Sequence, residues 1–292
     1  MGVRDGPSIR QVFDGVRFSV QLRKARGDFF IIQPVSYQYK VFDNIRNKNT
    51  LIYSSYWTIP VSNNNILDIY YFGNKLENFK FGNDTADESR NSLGLRFSNN
   101  INAFYYDAEI TYQFGKFGVN KIVAYQIGAI AGYRWPELNL RPRVQFRESI
   151  MSENRLEAGG IINTFRPVSA RPPVNDMVPV GPANIIVISP EGEITIYKGM
   201  TLVLRYLATW RLSEHDGIYS GDAKIMIRKP DEPGNNQGKL ITKGMVAEIA
   251  YNINKHLNLV ISGGHFIAGE YIVNTGKGEP ISAFSLRTTY KF

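Results

Sequence analysis

From Ala103 to Phe114 the chain alternates without a break, with Phe104, Tyr106, Ala108, Ile110, Tyr112 and Phe114 in one phase and Tyr105, Asp107, Glu109, Thr111 and Gln113 in the other. Period two is the signature of a strand, which places the first set on one face and the second on the other. A face built only of aromatic and aliphatic side chains must be covered by protein or by lipid. The opposite face carries two carboxylates, an amide and two hydroxyls, and needs water or polar partners.

The pattern recurs in segments of about ten residues, the length a tilted strand needs to cross a bilayer. Val16, Phe18, Val20 and Leu22 alternate with Arg17, Ser19, Gln21 and Arg23, and Leu138, Leu140, Val144 and Phe146 with Asn139, Arg141, Arg143, Gln145 and Arg147. Leu202, Leu204, Tyr206, Ala208 and Trp210 alternate with Thr201, Val203, Arg205, Thr209 and Arg211. At the end, Phe284, Leu286, Thr288, Tyr290 and Phe292 stand against Ser285, Arg287, Thr289 and Lys291. Weaker versions lie at 51–59, 66–72, 93–97, 123–133, 188–197, 241–253 and 257–261.

Connections fall into two length classes that alternate. The short ones are Arg26-Gly27-Asp28, the run from Ser62 to Asn65, Asn99-Asn100, Pro136-Glu137, Lys198-Gly199 and Asn254-Lys255-His256. The long ones are 41–50, 73–90, 115–121, 148–183, 213–239 and 267–281. Tight turns at one end and long polar loops at the other is the layout of an outer-membrane barrel, with turns in the periplasm and loops outside. A soluble antiparallel sandwich could bury one such apolar face, but has no reason for the loop alternation or for a closing strand that ends on Phe292. The expected fold is therefore all-β: one antiparallel transmembrane β-barrel domain of outer-membrane type over residues 1–292, with about thirteen strands in this chain.

An α-helical membrane protein is excluded, because the longest strictly apolar runs, such as Ile185 to Ile188, are only a few residues. Thirteen is odd for a bacterial barrel, and with Phe292 at the periplasmic side the first strand must run downward from outside. The expectation is that an odd number of N-terminal strands has been lost together with a signal peptide, since MGVRDGPSIRQVFDG has no basic n-region followed by an apolar h-region. The absence of cysteine excludes disulfides, thiolate metal sites and cysteine nucleophiles.

Thirty-four Lys and Arg against 26 Asp and Glu give a net charge of +8, so an anionic partner is plausible. Strand phase places Arg17, Arg96, Arg134, Arg141, Arg143, Arg147, Arg205 and Arg211 on the polar face, in company with Asp107 and Glu109. These are the candidate pore-lining residues. Arg suits that task because its planar fork pairs with carboxylates, and many exchanging partners along a path capture without trapping. Asp107 and Glu109 could be read as a paired acid/base site, but nothing nearby supplies a leaving-group partner, and counter-ion duty for the basic rows is the better reading.

Other motifs fail. The segment Asn274 to Gly278 resembles a phosphate loop, yet Tyr271 replaces its first Gly and Gly278 its Ser or Thr. His215, His256 and His265 lie in or near separate connections, so neither a metal site nor a triad is suggested. Aromatics sit on the face opposite the cations, whereas nucleic-acid platforms need both together. No enzyme activity and no cofactor is expected.

Taken in order, a set of short segments resembles the alginate export family over nearly the full length. They are Arg10 to Arg17 (RQVFDGVR), Leu67 to Gly73 (LDIYYFG), Ser92 to Arg96 (SLGLR), Tyr106 to Glu109 (YDAE) and Tyr112 to Gly115 (YQFG). Beyond them come Ala131 to Arg134 (AGYR), Asn163-Thr164-Phe165, Gly181 to Asn184 (GPAN), Trp210-Arg211 and Asp216 to Tyr219 (DGIY). The resemblance implies an eighteen-stranded barrel in the bacterial outer membrane whose cationic pore passively exports a polyuronate. The partners it implies are an anionic polysaccharide, outer-membrane lipid and periplasmic secretion components. An anion-selective porin for uptake of small acidic solutes is the alternative. Two departures bear on gating: Glu148 to Met151 stand where the family carries a Ser-Gly-Asp turn, and the turn Asn254 to His256 is too short to plug a pore.

Overall fold

The computed structural model describes residues 12–38, 40, 43–100, 103–153, 160–168, 180–230 and 237–292. In chain order the strands are β1 (Phe13–Leu22), β2 (Ala25–Ser36), β3 (Ile45–Arg46), β4 (Thr50–Pro60), β5 (Ile66–Phe81), β6 (Asp84–Asn99), β7 (Phe104–Phe117) and β8 (Asn120–Arg134). They continue with β9 (Arg143–Met151), β10 (Ile161–Ile162), β11 (Ile185–Tyr197), β12 (Met200–Trp210), β13 (Ile218–Tyr219), β14 (Met226–Arg228), β15 (Leu240–Asn252), β16 (Leu257–Ala268) and β17 (Ile281–Tyr290), with one short helix, α1 (Glu270–Asn274), before the last.

Thirteen of these form a single meander in the order β1-β2-β4-β5-β6-β7-β8-β9-β11-β12-β15-β16-β17. Every junction along that path is antiparallel. The expected count of thirteen is met, and each of the eleven inner strands of this path bonds on both edges, as a lipid-exposed backbone must, while among the described residues β1 and β17 each have one partner strand along it. The two-residue strands β3 and β10 pair with β2 and β8, and β13 with β14 forms a separate ribbon.

The faces follow the sequence phase. In β7, Phe104, Ile110, Tyr112 and Phe114 are exposed, whereas Tyr105, Gln113 and Phe117 are buried. The same sidedness leaves Val16, Phe18, Leu93, Leu95, Phe146, Leu204, Phe284 and Leu286 exposed. Such a surface is unfavourable in water and is the solvated surface in lipid. Outward rings cluster near the turn end of the strands: Phe97 and Phe104 flank Tyr106, Tyr133 meets Trp135, and Tyr290 meets Phe292. They form the aromatic girdle expected at a membrane interface.

Several boundaries differ from the sequence expectation. The stretch 73–90 is not a loop: β5 and β6 run to 16 residues each and meet over Gly82-Asn83, with Gly82 at φ +61. Likewise β7 and β8 continue to a turn at Gly118-Val119, with Gly118 at φ +55. Arg26-Gly27-Asp28 belongs to β2, and the preceding turn is Arg23-Lys24, where Arg23 takes φ +52.

The wall curls. One apolar cluster draws Ala124 from β8, Met151 from β9, Ile185 and Val187 from β11, Leu207 from β12, Ile241 and Val246 from β15 and Phe266 from β16, together with Phe165, Val180, Ile218 and Tyr271 from the connections. Five strand spacings of roughly 4.8 Å each would separate β8 from β16 in a flat sheet. Only a sheet wrapped around its inward face brings them to one cluster. The described parts of the long connections that carry Phe165, Val180, Ile218 and Tyr271 therefore fold into the interior at the loop end.

Candidate functional site: the lumen wall and its infolded segments

Inward-facing residues on β5 to β12 form polar, ion-paired clusters toward the turn end. Arg96 on β6 donates from Nε to Asp107 Oδ1 at 2.7 Å and from Nη2 to Asp107 Oδ2 at 2.5 Å, and its Nη1 lies 3.3 Å from Asp68 Oδ2 on β5. Glu109, one inward position beyond Asp107 on β7, accepts the Tyr70 hydroxyl at 2.6 Å. Across the lumen wall, Arg143 on β9 bridges Glu191 and Glu193 on β11 at 3.1 and 2.6 Å. Glu191 is the hub of that cluster, also accepting Gln145 Nε2 at 2.9 Å and Arg205 Nε at 2.6 Å.

Register explains why these groups meet. Glu191 pairs directly with Gln145 on one side and Arg205 on the other, and Glu193 with Arg143, so a two-residue period repeated on β9, β11 and β12 stacks the charges in one inward row. Arg147 shares the inward phase with Arg143. Among the described residues it makes no hydrogen bond or ion pair, while Arg205, Glu191, Asp107 and Arg143 all act on it electrostatically.

Two residues assigned to the same face from sequence are elsewhere. Arg141 lies in the turn between β8 and β9 with φ +42, because Pro142 delays the start of β9 to Arg143. Arg211 follows the end of β12 and is fully buried, its guanidinium 3.7 Å from the centroid of the Tyr271 ring and donating to the carbonyls of Glu214, Asp216 and Gly238. It ties connections together and does not face open lumen. Arg17 keeps the inward phase on the outermost strand β1, in register with Phe30 and ion-paired with Asp28 at 2.7 Å. Arg134, at the turn end of β8, donates to Asn100 Oδ1 at 2.5 Å and lies over the Tyr105 ring.

The sequence did not reveal the network at the loop end. Glu88 and Arg90 on β6 face inward and pair at 3.0 Å, and Arg166 from the infolded segment 160–168 also pairs with Glu88. Arg90 further donates to Gln113 Oε1 at 2.9 Å and to the Thr164 carbonyl at 3.0 Å. Gln113 returns a bond from Nε2 to the Arg166 carbonyl at 2.7 Å and accepts the Arg166 amide at 3.1 Å. These side chains are buried, and burial pulls the Arg166 guanidinium down to about 10, so it stays charged at neutral pH. Phe79, Phe117, Ile122 and Ile162 pack beside this docking point, with Arg166 over the Phe79 ring. The segment thus narrows the lumen through specific partners on the wall.

A second clamp holds the connection after β12. The Asn184 amide reaches the carbonyls of Ser213, Asp216 and Gly217 at 2.9 to 3.0 Å, and its Oδ1 accepts the Ser213 amide at 2.7 Å. Asp216 in turn accepts the Tyr219 hydroxyl at 2.9 Å. Beside Asp216 the burial of Tyr219 raises its phenol above the usual range.

A curled antiparallel meander with a lipid-suited exterior, an aromatic girdle and an ion-paired interior is the wall of an outer-membrane β-barrel channel. Solved structures with this architecture include Pseudomonas aeruginosa OccK11 (OpdR), with a TM-score of 0.60 at 14% identity, covering 99% of this chain and 72% of that one. OccK7 (OpdD) from the same organism gives 0.60 at 17% identity, covering 99% and 70%, and OccK8 (OprE) 0.60 at 12%, covering 98% and 72%. The chain belongs to the alginate export family, whose profile matches residues 1–280. No curated protein matches it.

Proposed function

We propose that this barrel is a passive channel for an anionic polysaccharide, a polyuronate of alginate type, moving out through the outer membrane along the guanidinium row, with the C-terminus on the periplasmic side. The reading treats residues 1–292 as one barrel unit. The observation that carries it is Arg147: an inward guanidinium with no ion pair among the described residues, standing near Arg143 and Arg205, whose own charges are held by Glu191 and Glu193.

Paired guanidiniums are fixed in place and partly neutralised, so they attract a polymer carboxylate weakly, whereas Arg147 can take one without displacing a partner. One strong site among compensated ones permits capture without trapping. Pore-lining duty on this reading falls to Arg96, Arg134, Arg143, Arg147, Arg205, Asp107 and Glu109. Secretion partners on the periplasmic side would deliver the polymer.

A porin for small acidic solutes is favoured by one observation, the infolded segment 160–168 that narrows the lumen. The test is Arg147→Gln in planar bilayers with oligouronate added to one side. Residence of the blocking oligomer should fall about fivefold, roughly 1 kcal/mol for one partly solvated charged contact. Arg96→Gln should shift the zero-current potential in a salt gradient by a similar amount to Arg147→Gln, since each removes one charge, but should change residence less. Equal residence in wild type and Arg147→Gln would refute the role given to Arg147.

A further inference from the structure

The lumen wall between β2 and β5 carries aromatic rings on its inward face, where a water-filled channel has no use for them as packing. Phe30 on β2 lies 5.9 Å from Phe72 on β5, Tyr70 lies 5.2 Å from Phe72, and Tyr56 on β4 stacks parallel to Tyr70 at 5.5 Å with an interplanar angle of 1°. Their inward direction follows from register: Phe30 pairs with Ser54 and Ser54 with Phe72, while Tyr56 pairs with Tyr70, in phase with Asp68 and opposite to the outward Ile31 and Ile69. None of the four belongs to the apolar clusters that seat the infolded connections. Phe30, Tyr56 and Phe72 are only half-buried.

The strip has polar neighbours at both ends. Toward the loop end, a cavity of about 510 Å³ is lined by Asn47, Asn49, Asn74 and Asn78, with Arg166 and Lys224 across it. That volume lies within the roughly 300–1,000 Å³ of small-molecule pockets. The buried Asn74 Oδ1 on its wall has no hydrogen-bond partner among the described residues, an unmet acceptor at the edge of the space. Toward the turn end, Asp68 and Arg96 close the strip.

Apolar ring faces flanked by side-chain amides suit one kind of ligand. A pyranose ring offers an apolar C–H face, which an aromatic ring covers, and a rim of hydroxyls, which amides bind. An inorganic anion or small carboxylate would gain nothing from Phe30 or Phe72. We propose that Phe30, Tyr56 and Phe72 form a stacking surface for successive sugar rings, with the asparagine cavity taking hydroxyls. This deepens the polyuronate reading and rests on it: the arginines recognise the carboxylate, and this strip recognises the sugar itself.

The test uses the intact channel purified from outer membranes, in planar bilayers, with two hexameric probes: oligomannuronate and the neutral glucose hexamer. Phe72→Leu and Phe30→Leu keep apolar volume and remove the ring face, and single-channel openings in the absence of sugar verify that each variant forms a pore. Wild type should be blocked transiently by both probes. In each variant the residence time of both should drop about three- to tenfold, the range expected for losing one aromatic contact. Block by oligomannuronate alone in wild type, or residence unchanged in both variants, overturns the stacking surface while leaving the polyuronate reading standing. Failure of both hexamers to block wild type defeats the polyuronate reading, and the stacking surface with it.

Discussion

Glu88→Gln should release the segment that narrows the lumen. Glu88 is shared by two buried guanidiniums, with side-chain exposure of 1% for Glu88, 3% for Arg90 and 6% for Arg166. The substitution keeps size and removes charge, leaving Arg90 without its carboxylate and Arg166 with only the more distant Asp222, both away from water. Breaking a buried pair in this way costs about 3–5 kcal/mol. The cost can be relieved locally if segment 160–168 lifts off and Arg166 regains water. The readout is hydrogen exchange at the Arg166 amide, which donates to Gln113 Oε1 at 3.1 Å. Exchange there should quicken on the order of 10²-fold, and single-channel conductance should rise. Arg166→Met should cost less, because Glu88 keeps Arg90 and the Met side chain can still cover Phe79. The double variant should be milder than the sum of the singles, a coupling only contacting residues show. Unchanged exchange and conductance in Glu88→Gln, or a larger effect from Arg166→Met, would refute this docking mechanism.

Asn184→Ala removes a fully buried amide that serves three carbonyls and one amide, and leaves alanine at φ +50. Loss of about 3 kcal/mol should appear as a lower urea midpoint for unfolding from lipid vesicles, and a shift near zero would contradict the clamp. Gly94→Ala would drive a Cβ into the Tyr70 ring, which lies over this glycine. The ring must move and lose Glu109, at a cost of about 1–3 kcal/mol read in the same unfolding assay, and Tyr70→Ala should cost less in the Gly94→Ala background than in the wild type. Arg211→Lys should destabilise the connection after β12 with little change in ion selectivity, because Arg211 contacts carbonyls and Tyr271 rather than open lumen. A large selectivity change would return Arg211 to the pore.

How far the sequence could be read depended on what each strand touches. Where one face meets lipid and the other water, as in β7, the alternation was unbroken and gave strand, sidedness and inward residues together. Beyond the bilayer that contrast disappears. The loop-end halves of β5 and β6 carry Lys75, Glu77, Asn78, Lys80 and Asp84 to Glu88, which read as loop although the ladder continues to Phe81 and Asp84. At β9 a locally regular pattern ran through Arg141, and only Pro142 signalled that the strand starts later.

Long-range pairing explains the remaining gap. Arg143 with Glu191 and Glu193 was accessible in principle, since strand order and phase fix which rows face one another. Glu88, Arg90, Gln113 and Arg166 were not, because nothing local in Asn163 to Pro167 says that this piece of a long connection turns inward. The aromatic strip was missed for a related reason. Phe30 and Phe72 sit in the phase that a simple apolar-out rule assigns to polar residues, so period alone leaves them unexplained.

The most direct test of the central claim is length-dependent occlusion of the intact channel in planar bilayers, with oligouronates of increasing length added to one side under a salt gradient. The account predicts anion selectivity and blocks whose duration grows with oligomer length. Anion selectivity without block would make this a small-solute porin, and cation selectivity would contradict the guanidinium path altogether.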